Sequence, residues 1–338
     1  MTAAPPRTGA GPVRVALIGA GGIAQTHALA SQRLDGLVEV VAVADVDAAA
    51  AQALAERLGC AHTADPASLV DAGRVDLALV ATPPDTHVEL ACAFLSSGIA
   101  TLVEKPLAIG TTAARRIAGC AHSSGALLTM ASKYRFATDV VRARSLVAGD
   151  ALGDVVRVEN AFSARVDMAG RWNSDPARSG GGVLIDNGTH SVDIARFLAG
   201  PVTEVLAVEG RRVQGLAVED TVTLLLRTDR DVLVSIDLSW SLDRMTDRYL
   251  AVVGTRGTVE VGWQGARFRT VGSATATDIG TGWDKVQALA ANLANVARAV
   301  RGEEALVVGW EDALASVQVV EAAYSSLRTG GWEKVEQL

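Results

Sequence analysis

The sequence predicts an α/β protein in two parts: a doubly wound parallel sheet, then an α+β domain whose sheet is open and largely antiparallel. Three observations predict it. Up to Ala131, short β-branched runs alternate with Ala/Leu-rich stretches of helical period, and this βαβ order needs a parallel sheet with helices on both faces. After Lys133, strand-like runs follow one another with turn residues between them. Aromatic usage changes at the same place: Phe94 is the only Phe, Tyr or Trp up to Ala131, and all six tryptophans, beginning with Trp172, lie beyond it.

In the first part, residues 13–18, 38–44, 77–81, 100–103 and 127–130 read as strands, and 23–33, 48–58, 86–97 and 111–123 as helices. In the second part, helices at 139–147 and 183–198 are separated by a strand at 155–162. Strands at 204–213, 221–227, 232–238, 248–253, 258–261 and 267–271 follow, punctuated by Asp229-Arg230-Asp231 and Gly254-Thr255-Arg256-Gly257. Helices at 285–300 and 310–327 complete a sheet covered on one face. There is no internal repeat or low-complexity linker. The expected division is a tail at 1–12, a nucleotide domain at 13–131 and a substrate-binding and oligomerisation domain at 132–338.

Composition narrows the function. A chain of 338 residues, 49% hydrophobic and 20% charged, supports two proper cores. A formal charge of −7 and a pI near 5.3 leave no basic footprint for a phosphate backbone, so no nucleic acid is expected. The Pro/Gly-rich residues 1–12 lack the apolar core of a signal peptide. No run approaches the ~18 apolar residues of a membrane span. Three widely spaced cysteines (Cys60, Cys92, Cys120) fit reduced thiols and a cytoplasmic location. The five histidines form no HxH or HExxH pattern, so no metal is expected.

The glycine loop Gly19-Ala20-Gly21-Gly22-Ile23-Ala24 follows the first strand and opens the first helix, a GxGxxG pattern with Ala24 in the last position. Gly19 permits a tight turn, Gly21 lets backbone amides approach a pyrophosphate, and Ala24 allows close helix–strand packing. The helix N-terminus adds unpaired N–H groups and a favourable dipole. The second strand ends at Asp45, placed to accept the 2′- and 3′-hydroxyls of an adenosine ribose and to repel a 2′-phosphate. No arginine follows it, and Asp47 is better placed to cap the next helix. The cofactor read from these residues is NAD rather than NADP.

Thr82-Pro83-Pro84 and Glu104-Lys105-Pro106 each follow a strand, at the ends where open α/β sheets bind ligands. Lys105 stands out because the chain has four lysines (Lys105, Lys133, Lys285, Lys334) among 31 basic residues. A lysine kept behind a buried strand suggests a need for a compact ammonium.

The densest chemistry lies in Gly180-Gly181-Gly182-Val183-Leu184-Ile185-Asp186-Asn187-Gly188-Thr189-His190. On the helix predicted from Val183, Asp186, His190 and Asp193 fall at i, i+4 and i+7, one polar stripe on an otherwise buried rod. An unperturbed imidazole titrates near neutral pH, which suits a general base. Asp193 either binds a substrate hydroxyl or pairs with Arg196. Tyr134 and Arg135 begin the second part, and either line the cleft or, for Tyr134, pack. Residues 163–179 carry Arg165, Asp167, Arg171, Trp172, Asp175 and Arg178, a mixed charge that selects neither anions nor cations. His27 and His87 read chiefly as structural, with His87 placed near the cofactor.

These motifs, in this order, resemble the Gfo/Idh/MocA oxidoreductases (glucose–fructose oxidoreductase, inositol dehydrogenase and relatives), and the resemblance spans nearly the whole chain. It rests on the glycine loop, Ala81-Thr82-Pro83-Pro84 with His87, Glu104-Lys105-Pro106, Tyr134-Arg135-Phe136 and the Gly180 to Asp193 block. The resemblance implies a Rossmann domain and an α/β domain whose open sheet commonly forms subunit contacts, hence a dimer or tetramer. It implies a catalytic lysine at Lys105 and a catalytic Asp and His at Asp186 and His190, with a cis bond between Lys105 and Pro106. Gly19, Gly21, Gly22, Ile23, Asp45, Thr82, Pro83, His87, Glu104 and Lys105 are then expected at NAD. Lys105, Tyr134, Arg135, Arg165, Trp172, Asp186, Asn187 and His190 are expected at substrate. Asn187 departs from the family, which often has an aliphatic residue there; it either adds a polar contact or simply starts the helix.

The activity this implies is oxidation of a ring secondary hydroxyl of a sugar, amino sugar or cyclitol to a ketone. Arg-over-Lys and Ala-rich usage suits a high-GC bacterial genome, which points towards antibiotic (aminoglycoside-type) sugar biosynthesis. Two alternatives stand beside it: a ketosugar reductase using NAD(P)H in the opposite direction, and a non-catalytic nucleotide-linked sugar sensor.

Overall fold

A computed structural model of the chain describes residues 11–71, 73–244 and 246–337, so most of the expected N-terminal tail lies outside the described residues. The elements run β1 (Val13–Ile18), α1 (Gly22–Gln32), β2 (Val38–Ala44), α2 (Ala48–Leu58), β3 (Ala61–Thr63), β4 (Leu77–Val80), α3 (His87–Ser96), β5 (Ala100–Val103), α4 (Thr111–Ser124) and β6 (Leu128–Met130). They continue with α5 (Thr138–Ala148), β7 (Val155–Ser163), α6 (Pro176–Ser179), α7 (Val183–Ala199), β8 (Val202–Glu209), β9 (Thr221–Thr228), β10 (Leu233–Ser239), β11 (Arg248–Gly254), β12 (Gly257–Gly262), β13 (Ala266–Thr270) and β14 (Thr277–Asp278). The last are α8 (Lys285–Val300), α9 (Trp310–Thr329) and β15 (Glu333–Lys334).

The chain divides into two compact units, one running to Lys133 and taking back Lys285–Leu314, the other Tyr134–Asp284 with the residues from Ala315. The return of α8 differs from the expected division, which kept every residue from 132 onward in the second part. Its apolar stripe explains the difference: Leu293, Val296 and Ala297 join the core of the first unit, and Leu289 and Ala290 pack with Ala30 of α1.

The first unit is a parallel sheet of order β3-β2-β1-β4-β5-β6. β4 and β5 are buried at every position, as strands covered by helices on both faces must be. Asp47 caps α2 by accepting from the N–H groups of Ala49 and Ala50, and Gly59 ends that helix in the left-handed conformation. The short edge strand β3 was not expected from sequence.

One sequence expectation is overturned here. Cys92 on α3 and Cys120 on α4 are joined by a disulfide, with Cα atoms 5.5 Å apart, whereas reduced thiols were expected. Sequence spacing alone did not reveal that α3 and α4 lie side by side. Cys60 remains a thiol, and burial pushes its pKa up.

The second unit is built on a nine-stranded sheet of order β14-β13-β12-β11-β7-β10-β9-β8-β15. All its pairings are antiparallel except β7 with β10. Alternate residues such as Val158, Leu224, Ile236, Leu238 and Val252 face one core, on which α7 lies. Gly188 lets α7 approach that sheet: a Cβ there would stand 3.1 Å from Leu238 Cδ1. The alternate residues carry ion pairs instead, among them Arg157–Glu159, Arg248–Glu159, Arg248–Glu260 and Arg244–Asp237.

Candidate active site

In the first unit the predicted nucleotide residues gather at the carboxyl ends of β1, β2, β4 and β5. Gly19 has φ +104°, and a Cβ there would stand 2.6 Å from the carbonyl oxygen of Ala81, so the fold itself demands glycine. Gly21 and Gly22 are different. They are exposed, have ordinary φ, and a Cβ at either would meet nothing within 4 Å. Nothing in the described chain needs them small, which leaves room above the loop for another group's approach. No side chain caps α1. Half-buried Ile23 packs against both neighbouring apolar clusters, and Ala24 is fully buried. Asp45 is half-buried; its Oδ2 accepts from Ala20 N–H at 2.6 Å and its Oδ1 from Asp47 N–H at 2.9 Å. The glycine loop is thereby tied to the end of β2, with lone pairs left on each carboxylate oxygen. An NAD molecule fits this set: uncapped amides for its diphosphate and a carboxylate for its ribose.

Two residues expected at the cofactor are placed differently. The His87 ring is fully buried, with Nδ1 3.0 Å from the Pro106 carbonyl and Nε2 2.9 Å from that of Thr82. It staples the loop after β4 to the loop after β5 instead of offering a nitrogen outward, and burial holds its pKa below the ordinary histidine value. The Glu104 carboxylate is also turned inward, 2.8 Å from His27 Nε2 and accepting from Lys105 N–H at 3.1 Å. His27, Lys133 and Lys105 hold its pKa down to about 2 against the opposing effect of burial. Both residues shape the loops. Thr82 and Pro83 stay half-buried at the strand end, with Thr82 Oγ1 2.7 Å from Thr86 Oγ1. Lys105 is half-buried and its bond to Pro106 is cis.

In the second unit the polar stripe forms as predicted on α7. Asp186 and Asn187 are half-buried in its first turns, and His190 is 7% exposed. Tyr134 presents an edge-on contact to the His190 ring, centroids 5.2 Å apart and planes at 73°. Trp283 stacks on Tyr134 at 4.6 Å, and Phe162 and Tyr249 complete the buried side of the cluster. The loop before Trp283 is held by buried Asp139, which accepts from the N–H groups of Thr281 (3.1 Å) and Gly282 (2.9 Å). Sequence reading missed Trp283, Tyr249 and Asp139; only the tryptophan count of the second part hinted at such a cluster.

Arg135, expected at substrate, is buried against α7: its Nε and Nη2 both donate to Asp193 Oδ1, at 2.9 and 2.8 Å. Its guanidinium also lies 5.3 Å from the centre of the Phe197 ring. Arg165 and Trp172 remain exposed on the loop between β7 and α6.

A glycine-loop Rossmann sheet joined to a second unit with an Asp/His helix defines a nucleotide-dependent oxidoreductase. Residues 13–132 match the oxidoreductase family with an NAD-binding Rossmann fold, and residues 140–260 match the GFO/IDH/MocA C-terminal domain. The chain belongs to the Gfo/Idh/MocA oxidoreductase family. It is 31% identical to inositol 2-dehydrogenase of Rhizobium meliloti over 254 residues, 73% of this chain and 74% of that one. It is similar to GenD2 from gentamicin A biosynthesis, solved with NAD (28% identity, TM-score 0.84, 98% of this chain and 99% of that one). The fold also matches levoglucosan dehydrogenase solved with NADH (20% identity, TM-score 0.90, 97% and 100%). The chain is therefore an NAD-dependent oxidoreductase, of a family that includes inositol 2-dehydrogenase. Among the described residues, no helix is long and apolar enough to cross a membrane.

Proposed function

We propose that the protein oxidises a ring secondary hydroxyl of a sugar, amino sugar or cyclitol to the ketone, with NAD as hydride acceptor. The observation that best supports this is the α7 stripe, where a half-buried carboxylate precedes a shielded imidazole by one helical turn. When bound, NAD supplies an electrophilic carbon for the hydride. His190 takes the hydroxyl proton as general base. Lys105 donates to the same oxygen and stabilises its developing negative charge. Asp186 orients the substrate or tunes the charge on Lys105 and His190. Tyr134 is one wall beside His190; burial pushes its phenol well above the ordinary tyrosine value, so it stays neutral. Arg135 is reassigned from substrate contact to support of α7.

An amino-sugar substrate within antibiotic assembly is favoured by the similarity to the gentamicin A biosynthesis enzyme, together with the Arg-over-Lys, Ala-rich composition. The reverse reaction, reduction of a ketosugar, uses the same residues with His190 returning the proton. Mixing the protein with NAD and a panel of hexoses, amino sugars and inositols, and following NADH absorbance, tests the reading. Turnover confined to ring alcohols is expected; no NADH from any of them, with ketosugars likewise inert toward NADH, would refute it. Self-association through the outer face of the second sheet is part of the same proposal.

Asp45 makes a separate expectation. Its carboxylate accepts both ribose hydroxyls in this reading, and each hydrogen bond to a charged group contributes about 1.5–3 kcal/mol. Asp45→Ala should raise the KM for NAD at least ~10-fold and narrow the NAD/NADP preference. An unchanged ratio of kcat/KM for the two cofactors would remove Asp45 from the ribose.

A further inference from the structure

The helix that carries Asp186 and His190 has no cap of its own. Gly182, at its N-cap position, offers no side chain, and the first-turn amides need acceptors from elsewhere. They find them on Glu219, at the approach to β9. Glu219 Oε1 accepts from the N–H groups of Gly182 (2.9 Å) and Leu184 (3.1 Å), and its backbone carbonyl accepts from Val183 N–H at 2.9 Å. Tyr324, on α9, donates its hydroxyl to the same Oε1 at 2.8 Å. Three successive amides of α7 thus end on one residue, and a tyrosine fixes that residue's carboxyl.

This arrangement also gives the triple glycine its physical reason. A Cβ at Gly182 would overlap the Glu219 carbonyl, and one at Gly181 would overlap the Tyr324 hydroxyl. Gly180 ends α6 in the left-handed conformation at φ +81°. The cluster is shaped by Glu219 and Tyr324 pressing on the start of α7.

We infer that Glu219 and Tyr324 are positioning residues for the reaction: together they cap α7 from outside its own sequence and so set where Asp186 and His190 stand. The inference rests on the reading of α7 as the catalytic helix. Glu219 is 5% exposed, and burial pushes its pKa up against the pull of its hydrogen bonds. The capping atom acts only as acceptor, so a glutamine carbonyl can replace it. A shift in the first turn of a helix moves every side chain above it, and a displacement of about 1 Å at a base is enough to cost rate.

The test compares kcat and KM in Glu219→Ala, Glu219→Gln, Tyr324→Phe and Ser326→Ala, assayed below the unfolding temperature of each. Ser326 lies two residues further along α9, fully buried, and is bonded to Ala207 N–H and the Gly331 carbonyl. Its loss destabilises the same helix without touching α7. We expect kcat to fall ~10-fold or more in Glu219→Ala and a few-fold in Tyr324→Phe, with the KM for NAD unchanged. Glu219→Gln should stay within a few-fold of the parent kcat, and Ser326→Ala should keep it. If Glu219→Ala does not fold, Tyr324→Phe decides alone, because it keeps the ring and removes only the hydroxyl that meets Glu219 and the start of α7. Parent kcat in Tyr324→Phe and Glu219→Ala, or an equal fall in Ser326→Ala, would overturn the inference. His190→Ala separates this from the underlying reading: an active His190→Ala removes α7 as the catalytic helix, whereas an inactive one beside a fully active Glu219→Ala removes only the cap.

Discussion

Replacing His190 with alanine is expected to lower kcat for sugar oxidation by about a thousandfold, because general base catalysis by a positioned side chain contributes ~10²–10⁴. The mutation removes a ring 7% exposed on α7 and edge-on to Tyr134, so some packing is lost as well, but the residues proposed to hold NAD lie on separate elements and the KM for NAD should hold. Lys105→Ala should cost about a hundredfold to a thousandfold, the range for losing one donor to a developing oxyanion. A split in which KM for the sugar rises and kcat stays intact would mean that these groups bind substrate without taking part in proton transfer. Stopped-flow measurement of the first turnover separates the chemical step from NADH release.

The largest expected effect on stability belongs to the Arg135–Asp193 pair. Both side chains are buried, at 5% and 3% exposure, and two guanidinium N–H groups converge on one carboxylate oxygen. Removing either partner breaks this buried ion pair, which costs ~3–5 kcal/mol. For a unit of this size that lowers Tm by roughly 10 °C. Replacing both with apolar residues of similar volume should recover much of the loss, since an ion pair gains little net energy over good packing. The same variants test the reassignment of Arg135: Arg135→Ala should lower Tm while the folded protein keeps its KM for the sugar. A raised KM with an unchanged Tm would return Arg135 to the substrate.

These two sets of residues differ in how visible they were beforehand. Strands such as Val13–Ile18 and Ala100–Val103 and helices such as Ala48–Leu58 announce themselves through β-branched runs, caps and apolar period, all local properties. The spacing that puts Asp186 and His190 on one helical face is local too. β3 was missed because its three residues are largely exposed and carry no apolar pattern. The strand expected to reach Val213 stops at Glu209, because Asp220 turns the chain by accepting from Val213 and Gln214 N–H. What stayed hidden everywhere else was a partner far along the chain. Cys92 meets Cys120, Gly280 to Gly282 fold around Asp139, and the first turn of α7 is completed by residues 219 and 324. Glycines invite a ligand explanation when read as a string. Side by side in the fold they separate into Gly19 and Gly182, which the protein needs for itself, and Gly21 and Gly22, which it does not.

The most direct test of the central claim, that Lys105 and His190 act on one and the same hydroxyl, is a double-mutant cycle on the single-turnover rate of hydride transfer. If the two groups share one oxygen, the Lys105→Ala/His190→Ala protein should be little slower than the worse single variant, because residues acting as a unit are strongly non-additive. Single losses that multiply cleanly in the double variant would contradict it, by showing that the two residues act independently.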